Sequence, residues 1–323
     1  MNRPVWQKLV MVTGGILVGI MASEAALRLA GFSYQFNLRA VGFIDDLKPV
    51  NIMDPLLLWV REDYHLVLDS LRRERPALVS LGCSCTYSGQ YQRRFEGLVR
   101  ERTGREIVYG NVATIGWSSH QGMAQLRQDV WRLRPRIITA LFGWNDHWRG
   151  WGIEDKRVSA YNRTFYRYRQ VRLMQLFAKG WVASLNRDAR SLRVSPEVFR
   201  LNLTQMVDFS VERGIVPVLM TAPTPVWDGD GDTDPGSPGT TATQDDTRGD
   251  WLPVHRQYVS IVREVAAARG AHLCDLAASF DSLPASRVSE LFPWDDIHFN
   301  TQQGRGGACG RHSLPHPSGG DTA

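Results

Sequence analysis

The chain has 323 residues, 43% of them hydrophobic, enough to bury a large core in one domain or two. Its 38 Lys and Arg against 33 Asp and Glu leave a formal charge of +5; with no interleaved basic and aromatic motif, this argues against nucleic acid as a partner. Four cysteines, at 83, 85, 274 and 309, make no C-x-x-C pair and no zinc-ligand spacing, so no metal or cofactor is expected.

Residues 1–31 carry an address. Arg3 and Lys8 precede an apolar run over residues 9–22, followed by Glu24 and Arg28 one helical turn apart. The pattern predicts an uncleaved signal-anchor with its basic end in the cytoplasm, the alternative being a cleaved signal peptide. Either places the remainder outside the cytoplasm, with the membrane as a partner. Residues 32–76 are mixed and are expected to form a covering segment.

A rhythm begins at residue 77. Apolar strands are expected at 77–82, 106–112, 136–142, 215–221 and 271–275. Helices are expected between them: from about Thr86 to Arg102, from Ser119 to Leu133, from Ser195-Pro196-Glu197 to Gly214, and from Leu252 to Arg269. Short apolar strands alternating with helices predict a parallel, doubly wound α/β sheet. Pro217 conflicts mildly with its strand, because it cannot donate to a ladder. Ligands of such sheets bind beyond the carboxyl ends of the strands, so the residues after each strand matter most.

After the first strand comes GCSCTYSG (82–89), with Ser84 placed to be pushed out at a strand-to-helix turn. Cys83 and Cys85 flank it, and their side chains should diverge too far for a disulfide. After the second strand comes Gly116, followed by WSSHQG; after the third, GWND (143–146) with Asn145. Beyond the fifth lies DDIH, with Asp295 and His298. A serine hydroxyl needs a base, and His298 is the candidate; Asp295, three residues earlier, can reach its Nδ1. Backbone N–H groups of Ser84 and Gly116, with the Asn145 amide, can stabilise an oxyanion. Taken singly, each of these residues also fits an ordinary turn or a surface ion pair.

These four ordered blocks resemble the SGNH (GDSL-type) hydrolase family over roughly residues 77–300. The resemblance implies a three-layer α/β/α sandwich around a five-stranded parallel, flavodoxin-like sheet, no metal, and ester hydrolysis through an acyl-serine. It implies Ser84, Asp295 and His298 as the triad and Ser84, Gly116 and Asn145 as the oxyanion hole. Two departures stand out. Cys83 replaces the Asp that usually precedes the nucleophile. The stretch from Gln303 onward, rich in Gly and Pro, has no amphipathic period where the family has a closing helix; residues 303–323 read as a disordered or aberrant tail. Cys309, His312 and His316 lie in that tail without a fourth ligand.

The hydrolase domain is thus expected over 77–302, with an insertion at 149–194 and a mobile loop at 223–250. The insertion is basic and aromatic, with eleven Lys and Arg against three acids; it suits either anionic glycan or lipid headgroups, or a solvated helical face. The loop contains DGDGDTD, but Thr233 stands where a calcium loop needs Gly and Gly239 where it needs Glu. Trp117, Trp144 and Trp148 follow strands and are candidates for contacting a sugar face or acyl group, the alternative being that such rings pack the loops. The expected function is a serine esterase removing a small acyl group, such as acetyl, from an envelope carbohydrate or related ester. An O-acyltransferase to a sugar hydroxyl and a non-catalytic envelope binding protein are the alternatives, and the sequence fixes no oligomeric state.

Overall fold

The computed structural model describes residues 4–34, 51–87, 90–148, 153–185, 191–225, 248–292 and 297–299. Helix α1 (Val5–Leu29) has no buried residue; its C-terminal end meets the rest of the protein through Glu24, which accepts from the amides of Arg172 and Leu173. Its length and composition suffice to cross a membrane.

The expected covering segment is a wall of the main core. Strands β1 (Asn51–Asp54) and β2 (Leu58–Arg61) form an antiparallel hairpin. Asp54 Oδ1 closes the turn by accepting from the amides of Leu56 and Leu57 at 2.8 and 2.7 Å. Helix α2 (Tyr64–Glu74) follows, and Leu57, Leu58, Trp59, Val60, Tyr64, Leu68 and Leu71 are all buried. They join Val79, Leu81, Ile138 and Leu219 of the central sheet in one cluster. Each such side chain contributes on the order of 1.5–3 kcal/mol.

The central sheet has five parallel strands: β3 (Leu78–Gly82), β4 (Tyr109–Asn111), β5 (Ile137–Leu141), β6 (Val216–Met220) and β7 (His272–Cys274), in spatial order β4-β3-β5-β6-β7. Every residue of β3 is buried, the signature of a strand covered on both faces. Helices flank the sheet: α3 (Ser84–Tyr87), α4 (Gln90–Thr103), α5 (Ser119–Gln128), α8 (Pro196–Val211) and α9 (Arg248–Arg269), with α6 (Asp155–Arg167) and α7 (Arg172–Ser184) in the insertion, and α10 (Leu276–Asp281) and α11 (Ala285–Leu291) near the end. The fold is the expected α/β class.

Local details differ from expectation for identifiable reasons. The helix expected to run from Ser119 to Leu133 stops at Gln128 and tightens into a 3-10 turn over Val130–Leu133, ending on left-handed Arg134. Pro217 sits inside β6 without conflict: Val216 donates toward β5, so position 217 faces β7, whose pairing starts only at Val218. Helix α9 starts at Arg248, inside the expected 223–250 loop, while residues 226–247 lie outside the described residues, as do 303–323 with Cys309, His312 and His316. Ser195 caps α8 as expected, its Oγ accepting from Val198 N at 3.4 Å.

Candidate active site

Ser84 opens α3 two residues beyond the last residue of β3, and is half-buried. The abrupt turn needs Gly82: a Cβ there would lie 2.2 Å from Thr86 Oγ1 and 2.9 Å from the Leu141 carbonyl. The single turn α3 is too short to hold itself, and side-chain amides complete it. Thr86 O accepts from Asn111 Nδ2 at 2.8 Å and from Gln92 Nε2 at 3.2 Å. Against this turn stands His298, more than two hundred positions away, its Nε2 2.7 Å from Ser84 Oγ. With Ser84 donating, Nε2 is the acceptor, and the ring proton sits on Nδ1. Cys85 Sγ donates to the Ile297 carbonyl at 3.5 Å, tying the serine turn to the histidine loop. Asp295 lies outside the described residues, as do Asp296 and Trp294.

Cys83 is fully buried beside the nucleophile. Its thiol is pulled down to about 7, chiefly by hydrogen bonding with Cys85, against the opposing effect of burial. Both cysteines are free thiols.

Gly116 has φ of 78°, a left-handed backbone that favours glycine. Its loop is pinned by two exchanged indole bonds: Trp59 Nε1 donates to Ile115 O at 3.0 Å, and Trp117 Nε1 to Trp59 O at 2.9 Å. Trp117 is therefore fully buried in the core, and Trp144 is buried against His255, with ring centroids 4.1 Å apart. Both rings pack loops onto the sheet, which corrects the expectation that they line a substrate surface. Trp148 is half-buried.

Asn145 is half-buried beyond the end of β5 and its Nδ2 donates to Trp117 O at 3.1 Å, leaving a second N–H on the same nitrogen. Its neighbour Asp146 is fully buried and accepts from the amides of Gly143 and Ser119 at 3.0 and 2.8 Å, locking the Asn145 turn to the start of α5. Burial raises the Asp146 carboxyl to about 6.

Sequence reasoning missed a second support. Arg193 had been counted among the basic residues of the insertion, yet it is buried and paired with Asp155 through both carboxylate oxygens, at 3.1 and 2.9 Å. Its Nη1 donates to the Gly116 carbonyl at 2.8 Å, and Asp155 also accepts from Ser118 Oγ at 2.5 Å. No spacing in the sequence marks this pair. Asp146 was legible only as the last letter of GWND. Among the described residues no group of three or more His, Cys, Asp or Glu can hold a metal ion.

The profile of the GDSL-like lipase/acylhydrolase family matches residues 79–303. The chain belongs to this family and is an ester hydrolase. Solved structures similar to it include a lipase/acylhydrolase from Enterococcus faecalis (17% identity, TM-score 0.44, 69% of this chain and 87% of that one). An acetylxylan esterase from Geobacillus stearothermophilus is similar at 14% identity and TM-score 0.43, over 70% of this chain and 87% of that one. A GDSL-like lipase from Bacteroides thetaiotaomicron is similar at 12% identity and TM-score 0.43, over 74% and 90%. A search of the curated proteins found no match.

Proposed function

We propose that the protein is a serine esterase that works through an acyl-serine, with Ser84 as nucleophile and His298 as base. The observation that carries this reading is the 2.7 Å contact between His298 Nε2 and Ser84 Oγ. Ser84 Oγ attacks the ester carbonyl as Nε2 takes its proton, and the same proton passes to the departing alkoxide. Water then repeats the sequence on the acyl-serine, releasing the acid and regenerating the hydroxyl. The N–H groups of Ser84 and Gly116 and the second N–H of Asn145 Nδ2 are assigned to the oxyanion. Asp295 is assigned to Nδ1 of His298, where a carboxylate would hold the tautomer that this contact requires.

The acyl group we assign is small, with acetyl first, on an envelope carbohydrate or related ester. Ile297 and Phe299, partly buried against the cluster of Cys83 and Cys85, give the serine turn an apolar flank that suits a short acyl chain. Helix α1 is assigned as a retained anchor, with the catalytic domain outside the cytoplasm. Its support is the apolar length of the helix and the basic residues Arg3 and Lys8 ahead of it.

The test is p-nitrophenyl ester turnover by the full chain in detergent. Ser84→Ala should lower acetate release by about a thousandfold or more, and the wild type should prefer acetate to octanoate. Equal rates for wild type and Ser84→Ala would overturn the assignment. Faster release in the presence of acceptor sugars, with acylated sugar as product, would move the reading to transfer.

A further inference from the structure

At the foot of α1 lies a cavity of 740 Å³, away from the serine turn, between α1, α6 and α7. Its size is that of a small-molecule site. Arg28, Arg169 and Arg172 line it with Tyr34, Tyr166 and Asn162, and no Asp or Glu is among the lining residues. Glu24, just outside, pairs with Arg28 at 2.8 Å. Its carboxylate also accepts from the backbone amides of Arg172 and Leu173 at 3.1 and 2.9 Å, so it caps α7. Arg28 is thus balanced, while Arg169 and Arg172 bring two further guanidinium groups to the wall. Asn162 is fully buried; its Nδ2 donates to Asp54 O at 2.7 Å, and its Oδ1 has no hydrogen-bond partner among the described residues. Arg169 Nη1 donates to Tyr166 O at 2.9 Å, and Arg172 Nη1 to Ser33 Oγ and Gln175 Oε1 at 3.1 and 3.0 Å; these partners are neutral, so the cavity offers an anion two cations.

The position of the cavity relative to α1 selects the source of that anion. The helix from Val5 to Ser23 rises about 28 Å at 1.5 Å per residue, close to the hydrocarbon thickness of about 30 Å. Glu24 and the start of α7 then fall at the outer boundary of the bilayer. On α7, the apolar Leu176 and Phe177 are 43% and 60% exposed.

We propose that this cavity binds the phosphate headgroup of an anionic phospholipid, with Arg169 and Arg172 on the phosphate and Leu176 and Phe177 against the acyl chains. The site seats the insertion on the membrane beside the anchor, and it rests on the reading of α1 as retained.

The full chain is purified in detergent and offered phosphatidylglycerol or phosphatidylcholine, and bound lipid is counted by native mass spectrometry. Phosphatidylglycerol should remain at one per chain, and phosphatidylcholine should not. The double variant Arg169→Gln/Arg172→Gln should lose about tenfold or more in retention, and Arg169→Lys/Arg172→Lys should keep most of it. An unchanged lipid-free melting midpoint shows that the Gln variant is folded. If its midpoint falls, Phe177→Gln with both arginines intact takes its place and should also weaken retention. Equal retention of the two lipids, or retention untouched by these variants, overturns the proposal. Displacement by millimolar inorganic phosphate also overturns it, making this a site for free phosphate. The intact mass separates the two readings: α1 removed overturns both, and α1 present without lipid preference overturns this one alone.

Discussion

Two buried histidines beside the Asn145 turn show how hydrogen bonds fix proton positions. His255 Nε2 lies 2.9 Å from Ala222 O, which can only accept, so that nitrogen carries the proton. In the neutral ring Nδ1 is then the acceptor, and His147 Nε2, 3.1 Å away, is the donor that matches it. Burial is the main cause that pushes His255 down to about 4 and His147 well below its ordinary value, which leaves both rings neutral at about pH 7. The sign follows directly. As pH falls, the unfolded chain takes the His255 proton at about 6.5 and the folded one only at about 4. Stability is complete above the higher value and is lost between them, by about 3 kcal/mol for His255 alone. Asp146 acts oppositely: raised to about 6, it binds its proton first in the folded state and offsets part of the acid loss. His255→Gln should lower the melting midpoint at about pH 7, yet its midpoint should fall less than that of the wild type on going to about pH 5. Parallel pH profiles would show that the histidine pair does not set the acid limit.

At the scale of elements, the turns after β4 and β5 are held from outside the sheet. The buried Arg193–Asp155 pair links the base of the insertion to Gly116 and Ser118 at the start of α5. Arg193→Gln leaves Asp155 buried without its cation, which should cost about 3–5 kcal/mol. If the pair also positions Gly116, kcat for p-nitrophenyl acetate should fall while KM changes little. The double variant Arg193→Gln/Asp155→Asn separates the two effects: removing the stranded charge should restore part of the stability while kcat stays low. Full recovery of kcat with stability would reduce the pair to a structural role. This clamp was illegible in the sequence because a charge count records no burial, so Arg193 read like the exposed Lys156, Arg157 and Arg163 of the same insertion. The strands were legible because buried parallel strands appear as continuous apolar runs, and the places of Ser84, Gly116 and Asn145 beyond strand ends because each follows such a run. The β1–β2 hairpin was not, since four-residue strands set by one Asp54 turn leave too short a pattern to count.

For the molecule as a whole, the sheet and the helices around it share one buried cluster, and α1 adds no buried side chain to it. Trp117 and Trp144 were misjudged for a related reason: position after a strand indicates an edge, whereas the neighbours that cover a ring come from distant segments, Trp59 in one case and His255 in the other. The same separation makes the consequence of removing α1 calculable. A chain lacking residues 1–30 loses the Glu24 cap on α7 and the 3.2 Å bond from Arg28 Nη2 to Gln170 O, and no buried side chain of the core. Loss of so exposed a cap should lower the melting midpoint by a few degrees at most. The shortened protein should be soluble without detergent, and its kcat/KM for p-nitrophenyl acetate should stay within about twofold of the full chain, since a change of 1.4 kcal/mol at the site would already be tenfold. Hydrogen exchange should quicken in the first turn of α7, around Arg172 and Leu173, and remain slow in β3 and β5. Loss of protection in those central strands, or of turnover, would mean that α1 supports the catalytic core through contacts beyond Glu24 and Arg28.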